Sequence, residues 1–208
     1  MIRVRHLTLG VALVLAVAAC TSTGAPPATS PSTRAAAACP TGQPAALPAG
    51  ETRTVKIETE PGTIAIKVEA DLSPIAAANF VALASCGFYD GVVFHRVVPG
   101  FVIQGGDPTG SGSGGPGYSI EDEPVTATYS RGTVAMARSS QPNSVGSQFF
   151  IVLDDEARTA LADPRYNNYQ IVGTVTAGMD AADAIAAAAD AENPSDPVAM
   201  DRVTVSNP

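Results

Sequence analysis

His6, His95, Cys20, Cys39 and Cys86 are the only histidines and cysteines in the chain. A structural zinc site draws four such ligands into a tight spacing, so a His/Cys metal cluster is not expected. Lys56 and Lys67 are the only lysines and neither follows a glycine-rich loop, which excludes a Walker-type phosphate cradle. Gly110-Ser111-Gly112-Ser113-Gly114-Gly115 has GxGxxG spacing. A dinucleotide site needs a strand before that motif and a helix after it. Here Pro108 precedes and Pro116-Gly117 follows, so the stretch reads as a flexible surface loop. His95 could act as a general base, but Ser147 in Val145-Gly146-Ser147-Gln148-Phe149 does not sit on a nucleophile elbow. A packed, hydrogen-bonded His95 is the plainer reading, and a His95-dependent hydrolase the most remote one.

The segment from Phe94 to Asp107 is richer. If Phe94, Arg96 and Val98 share one strand face, a guanidinium stands among apolar groups. If the next strand begins at Phe101, an aromatic ring and the Gln104 amide follow at strand spacing. An arginine near a phenylalanine is more often a structural ion pair or a stacked surface contact than a functional site.

The elements that must carry these residues are short. Val55 and Ile57, then Ile64, Ile66 and Val68, alternate on either side of Glu60-Pro61-Gly62, which predicts a β-hairpin. Ser73-Pro74 opens a helix, with Ser as N-cap and Pro at the first helical position, and Gly87 ends it. Strands are expected at 92–98, 101–104, 133–137, 148–153, 169–175 and 198–205, and a second helix at 180–189. Many short strands with two helices predict a β-barrel with helical caps.

The N-terminal residues carry an address. Arg3 and Arg5 precede an apolar run over 7–19 that is short for a membrane span, as in a secretory signal. It ends Val17-Ala18-Ala19-Cys20, which resembles a bacterial lipobox; an ordinary cleaved signal is the alternative. Residues 1–19 are read as a lipoprotein signal peptide. Residues 20–50, rich in Pro, Ser, Thr and Ala, are read as an acylated Cys20 followed by a disordered tether of roughly 30 Å. Residues 51–208 are read as the folded domain. The expected location is extracytoplasmic, lipid-anchored to a bacterial cell membrane through Cys20. Cys39 and Cys86 could pair there or stay as two thiols. With 12 Lys and Arg against 20 Asp and Glu, the net charge of −8 repels phosphate backbones, so no nucleic-acid partner is expected.

Several motifs together resemble the cyclophilin-type peptidyl-prolyl cis-trans isomerases. Phe94-His95-Arg96-Val97-Val98-Pro99-Gly100-Phe101-Val102-Ile103-Gln104-Gly105-Gly106-Asp107 is similar to the family signature. Gly112 to Gly115 resembles its glycine loop and Met136-Ala137 the start of its Met-Ala-Asn-Ala stretch. Pro142-Asn143-Ser144-Val145-Gly146-Ser147-Gln148-Phe149-Phe150 resembles its Pro-Asn-Thr-Asn-Gly-Ser-Gln-Phe-Phe run, and Tyr169 to Gly173 fits the strand that follows. The resemblance implies a closed eight-stranded antiparallel barrel capped by two α-helices. It also implies an enzyme that rotates X-Pro bonds and needs neither metal nor cofactor; with the N-terminal signal, its expected substrates are exported proteins. By resemblance, Arg96 and Gln104 are catalytic. Arg96 would donate to the prolyl nitrogen, and Gln104 would hold Arg96 and a substrate carbonyl. Phe101, Val102, Phe150 and Leu161 would wall the proline pocket. Ala137, Arg138, Ser139 and Gln148 would bind the preceding peptide residues, Gly112 would border the next pocket, and Tyr169 stands where many members carry His. The partners implied are proline-containing polypeptides, and a monomer is expected.

The chain departs from the pattern in places. Val102 stands where Met is common, Arg138 replaces Asn, Gln141 is a one-residue insertion, and the region 154–168 is long. The family's Trp near Leu161 is missing, so weak cyclosporin binding is expected. A proline-peptide-binding or chaperone module without turnover is the rival reading on the same fold.

Overall fold

The computed structural model describes residues 38–161 and 168–207. The signal and acylation readings at 1–37 lie outside these residues. Among the described residues, no helix is long and apolar enough to cross a membrane.

The hairpin forms from β1 (Thr52–Thr59) and β2 (Gly62–Glu69), in the register Val55↔Ile66 and Ile57↔Ile64. That register buries the alternating aliphatics on one face. Then come α1 (Pro74–Ser85), β3 (Arg96–Val98), β4 (Val102–Gly105), β5 (Thr133–Met136) and β6 (Phe149–Val152). A short α2 (Ala157–Leu161), β7 (Ile171–Ala177), α3 (Met179–Ala188) and β8 (Arg202–Ser206) complete the order. The eight antiparallel strands form one curled sheet, in the order β3-β4-β6-β5-β7-β2-β1-β8.

Three expectations need correction. The sheet curls into a half-barrel that strand pairing does not close, because β3 and β8 are its two ends. The expected strand at 92–98 shrinks to Arg96–Val98; ahead of it, an isolated bridge, Val93↔Ala199, and bonds from Gly91 N to Met200 O, Met200 N to Val92 O and Phe94 N to Val198 O lace the two edges. There are three described helices rather than two, since α2 occupies the long region after β6. The cap of α1 also differs. The Ser73 hydroxyl donates to Leu72 O, and the Glu123 carboxylate accepts from Ile75 N (2.8 Å) and Ala76 N (2.9 Å). A carboxylate at a helix N-terminus satisfies two orphan donors and meets the positive end of the helix dipole.

Ordered contacts also begin before residue 51. Cys39 is joined to Cys86 by a disulfide. Gln43 Oε1 accepts from Glu121 N, Leu47 N donates to Pro74 O, and Gly50 N donates to the Asp71 carboxylate. The part of the expected tether from residue 38 onward thus lies against the domain.

Period-two alternation sorts the strands' side chains into two cores. Val97, Ile103, Val134, Met136, Phe149, Ile151 and Val172 enter the larger, with Phe80 and Tyr89. Val102, Ala135, Phe150, Val152 and Ile171 enter the smaller, with Tyr129, Ala157 and Leu161, and with Phe101, Ala137 and Tyr169 packed against it. The second core underlies the candidate site.

Candidate active site

The strand register assembles one rung across five strands. Arg96 is paired with Gln104, Gln104 with Phe150, Phe150 with Ala135, and Ala135 with Ile171. Residues directly paired in neighbouring strands point to the same side. A guanidinium, an amide, a phenyl ring and two aliphatics thus line up across the sheet. The expected Phe94, Arg96, Val98 face is not the source of this order. Phe94 is fully buried in the larger core, edge-on to Phe149 at 6.3 Å, because regular strand begins only at Arg96.

A cavity of about 110 Å³ opens on this rung, lined by Arg96, Phe101, Val102, Gln104, Ala137, Arg138, Phe150, Leu161 and Tyr169. At about 30 Å³ for each water, it suits a small ring and is well short of the 300 Å³ and more of drug-sized sites. Phe150 and Tyr169 meet edge-to-face at 5.3 Å. Tyr169 is held in turn by the buried Tyr129, whose hydroxyl donates to Tyr169 O and accepts from Tyr169 N. Burial pushes the Tyr129 phenol up to about 12. Leu161, the last residue of α2, is 4% exposed and closes one wall.

A second cavity, of about 650 Å³, adjoins the first and shares Gln104, Ala137 and Arg138 with it. Gly112, Ser139 and Gln148 line this larger space, so every catalytic and substrate-binding residue that the resemblance implies borders one cavity or the other.

Several hydrogen bonds differ from expectation. Gln104 does not hold Arg96; its amide donates to Gln148 Oε1 at 3.0 Å. The Gln148 amide donates to Gly112 O (3.0 Å) and Gly114 O (2.9 Å), so it ties the glycine loop to the rung. The Arg96 partner is Glu192, whose Oε1 accepts from Nε at 2.6 Å. Arg138 is paired with Asp122 at 3.1 Å and donates to the carbonyls of Ser139 and Gln141. The Arg138 side chain thus braces the loop that carries Ser139 and Gln141.

The glycine loop is exposed but is not a free strap. Asp107 accepts from Thr109 N, the Thr109 hydroxyl, the Ser111 hydroxyl and Gly114 N. Burial alone would raise the Asp107 carboxyl, but these bonds outweigh it and hold the group far below the usual carboxylate range. Gly114 must lack a side chain, because a Cβ there would strike that carboxylate. Sequence reading missed Asp107, although Asp-Pro-Thr is a turn-initiating signal. His95 is buried, and among the described residues neither ring nitrogen has a hydrogen-bond partner. The expected packed histidine is thus present without a well-formed hydrogen bond, although the Gln148 side chain and the Val93 backbone lie close enough to favour its protonated form. Desolvation lowers its pKa from the ordinary 6.5, against the opposing pull of Asp107. Among the described residues, no cluster of His, Cys, Asp and Glu could hold a metal ion.

Comparison with known proteins adds an independent line. Residues 54–205 match the family described as Cyclophilin type peptidyl-prolyl cis-trans isomerase/CLD. A Synechococcus elongatus peptidyl-prolyl cis-trans isomerase is 50% identical over 95 residues, covering 46% of this chain and 65% of that protein. A probable peptidyl-prolyl cis-trans isomerase of Brucella abortus is 40% identical over 153 residues, covering 67% of this chain and 74% of the other. The crystal structure of a Cryptosporidium parvum cyclophilin type isomerase superposes with a TM-score of 0.64 at 32% identity, over 76% of this chain and 99% of that one. A further crystal structure of that isomerase was obtained in the presence of the dipeptide Ala-Pro.

Proposed function

This chain belongs to the cyclophilin-type peptidyl-prolyl cis-trans isomerases, and from that premise we propose that it accelerates X-Pro rotation in exported polypeptides with Arg96 as the catalytic donor. The uncatalysed barrier comes from amide conjugation, ~18–20 kcal/mol. At the top of that barrier the prolyl nitrogen is no longer conjugated and carries a lone pair. A donor aimed at that lone pair binds the twisted amide more tightly than the planar one, which is what lowers a barrier. The single observation that carries this reading is the small cavity that sets Arg96 on the same wall as the rings of Phe101 and Phe150.

In this reading the proline ring enters that cavity against Phe101, Val102, Phe150, Leu161 and Tyr169. Exclusion of water there strengthens the donation from Arg96. Gln104 and the backbone around Ala137, Arg138 and Ser139 hold the peptide before proline, which runs toward the larger cavity bordered by Gly112 and Gln148. The reaction forms and breaks no covalent bond, so it asks for no cofactor. A monomer suffices, and with no Trp in the chain the affinity for cyclosporin is weak. The test is a protease-coupled assay on an X-Pro peptide. Arg96→Ala should lower kcat/KM by about 100-fold or more, the usual effect of removing a preorganised donor. Equal rates would remove the mechanism and leave the binding-module reading.

The proposed setting is extracytoplasmic, on a lipid anchor at Cys20. The Ala-Ala-Cys end of the apolar run supports it, as does the disulfide between Cys39 and Cys86, a bond that oxidising compartments favour. Cys20→Ser should move the protein from the membrane fraction to the soluble one; a variant that stays bound would refute the anchor.

A further inference from the structure

Arg96 is gripped from the far end of the chain. Glu192 lies in the loop between α3 and β8, and it meets β3 twice. Its carbonyl accepts from Val97 N at 2.7 Å and its carboxylate accepts from Arg96 Nε at 2.6 Å. The loop is itself braced, because the Asp190 carboxylate accepts from Ser195 N (3.0 Å) and from the Ser195 hydroxyl (2.6 Å). Glu192 therefore sits inside a closed turn that is tied to the neighbour of Arg96. Among the described residues, Glu192 is the only acid paired with Arg96, and neither terminal nitrogen of that guanidinium has a partner.

We propose that Glu192 is the positioning residue for Arg96: it takes the Nε hydrogen and so fixes the plane of the fork, leaving the two terminal nitrogens as donors to the substrate. The proposal rests on the isomerase reading above. A guanidinium is planar, so one bond at Nε together with the stem sets the direction of every remaining N–H. Without that bond, a long side chain samples several rotamers, and each turnover must first order it. An opposing effect exists, since a nearby carboxylate offsets part of the cation's field. Glu192 is 59% exposed, where solvent screens that offset, so orientation is the larger effect.

The test is a double-mutant cycle in the X-Pro assay, with kcat and KM separated and melting temperatures recorded. Glu192→Ala should lower kcat about fivefold, the upper range for an exposed pair, with KM and melting temperature little changed. Glu192→Gln keeps an oxygen acceptor and should recover most of the rate. In an Arg96→Ala background, Glu192→Ala should change nothing, because the group it orients is gone. A structural loop residue would instead cost the same factor in both backgrounds, and that outcome overturns the proposal. An unchanged or faster Glu192→Ala enzyme overturns it too. If Arg96→Ala is itself as fast as wild type, the isomerase mechanism fails; if only Glu192 proves silent, that mechanism stands and the positioning role falls.

Discussion

His95 and Arg96 are adjacent in the chain and opposite in surroundings. Arg96 reaches the cavity and Glu192, whereas His95 turns into a buried space where its ring nitrogens bond to nothing described. Desolvation makes the neutral imidazole the folded form. The sign follows from linkage. A folded pKa below the unfolded 6.5 means that the unfolded chain binds the extra proton first as pH falls. His95 thus contributes full stability above the unfolded value and loses it as pH drops toward the folded one. Its charged neighbours, Asp107 and Arg96, oppose each other. Asp107, with a depressed pKa, loses its own contribution only in stronger acid, below the ordinary 3.8. Melting temperature should therefore fall as pH drops below the ordinary 6.5 in wild type and stay flatter in His95→Gln. Parallel curves for the two proteins would show that the imidazole is not the sensor.

At the scale of elements, the site depends on register more than on any strand's own content. A one-residue slip of β4 against β3 or β6 would turn Val102 and Gln104 to the other face and dissolve the rung. Distant clamps guard against such shifts. Glu123 caps α1 while its Oε2 also accepts from the buried Gln170, next to the Tyr169 wall of the cavity. Glu123→Ala should cost about 1–2 kcal/mol, lowering the melting temperature by about 2–8 °C. An unchanged melt would mean that water replaces the cap without loss. This element also marks where sequence reading stops. Ser73-Pro74 announces the start of α1, but the residue that caps it lies 48 positions away, and no local pattern points to it. The alternation that makes β1 and β2 is visible in the chain, as are the aromatic and amide positions of the site. The start of β3 at Arg96, the turn of Phe94 into the larger core and the Glu192 contact 96 positions away all follow from tertiary packing.

Across the whole molecule, a curled sheet serves two cores at once. The larger holds the strands together, and the smaller packs beneath the cavity and places Val102, Phe150 and Leu161 on its wall. Loops then add what strands cannot: the Asp107-pinned glycine loop, the Arg138-braced loop and the Glu192 turn each bring polar groups to the cavities' borders. The disulfide fastens residue 39 beside the end of α1, so a pull on the N-terminal segment is taken up at Cys86 rather than by β1. A net charge of −8 favours solubility and disfavours anionic partners.

Exchange spectroscopy by NMR on an Ala-Pro-containing peptide tests the central claim most directly, because it reads binding and rotation in one sample. With a small proportion of wild-type protein, cross-peaks linking the cis and trans signals should appear within seconds, far faster than the tens to hundreds of seconds of free X-Pro bonds. Arg96→Ala should still shift and broaden the proline resonances yet produce no cross-peaks. Cross-peaks of undiminished strength from Arg96→Ala would contradict the account, for rotation would then be driven by something other than that guanidinium.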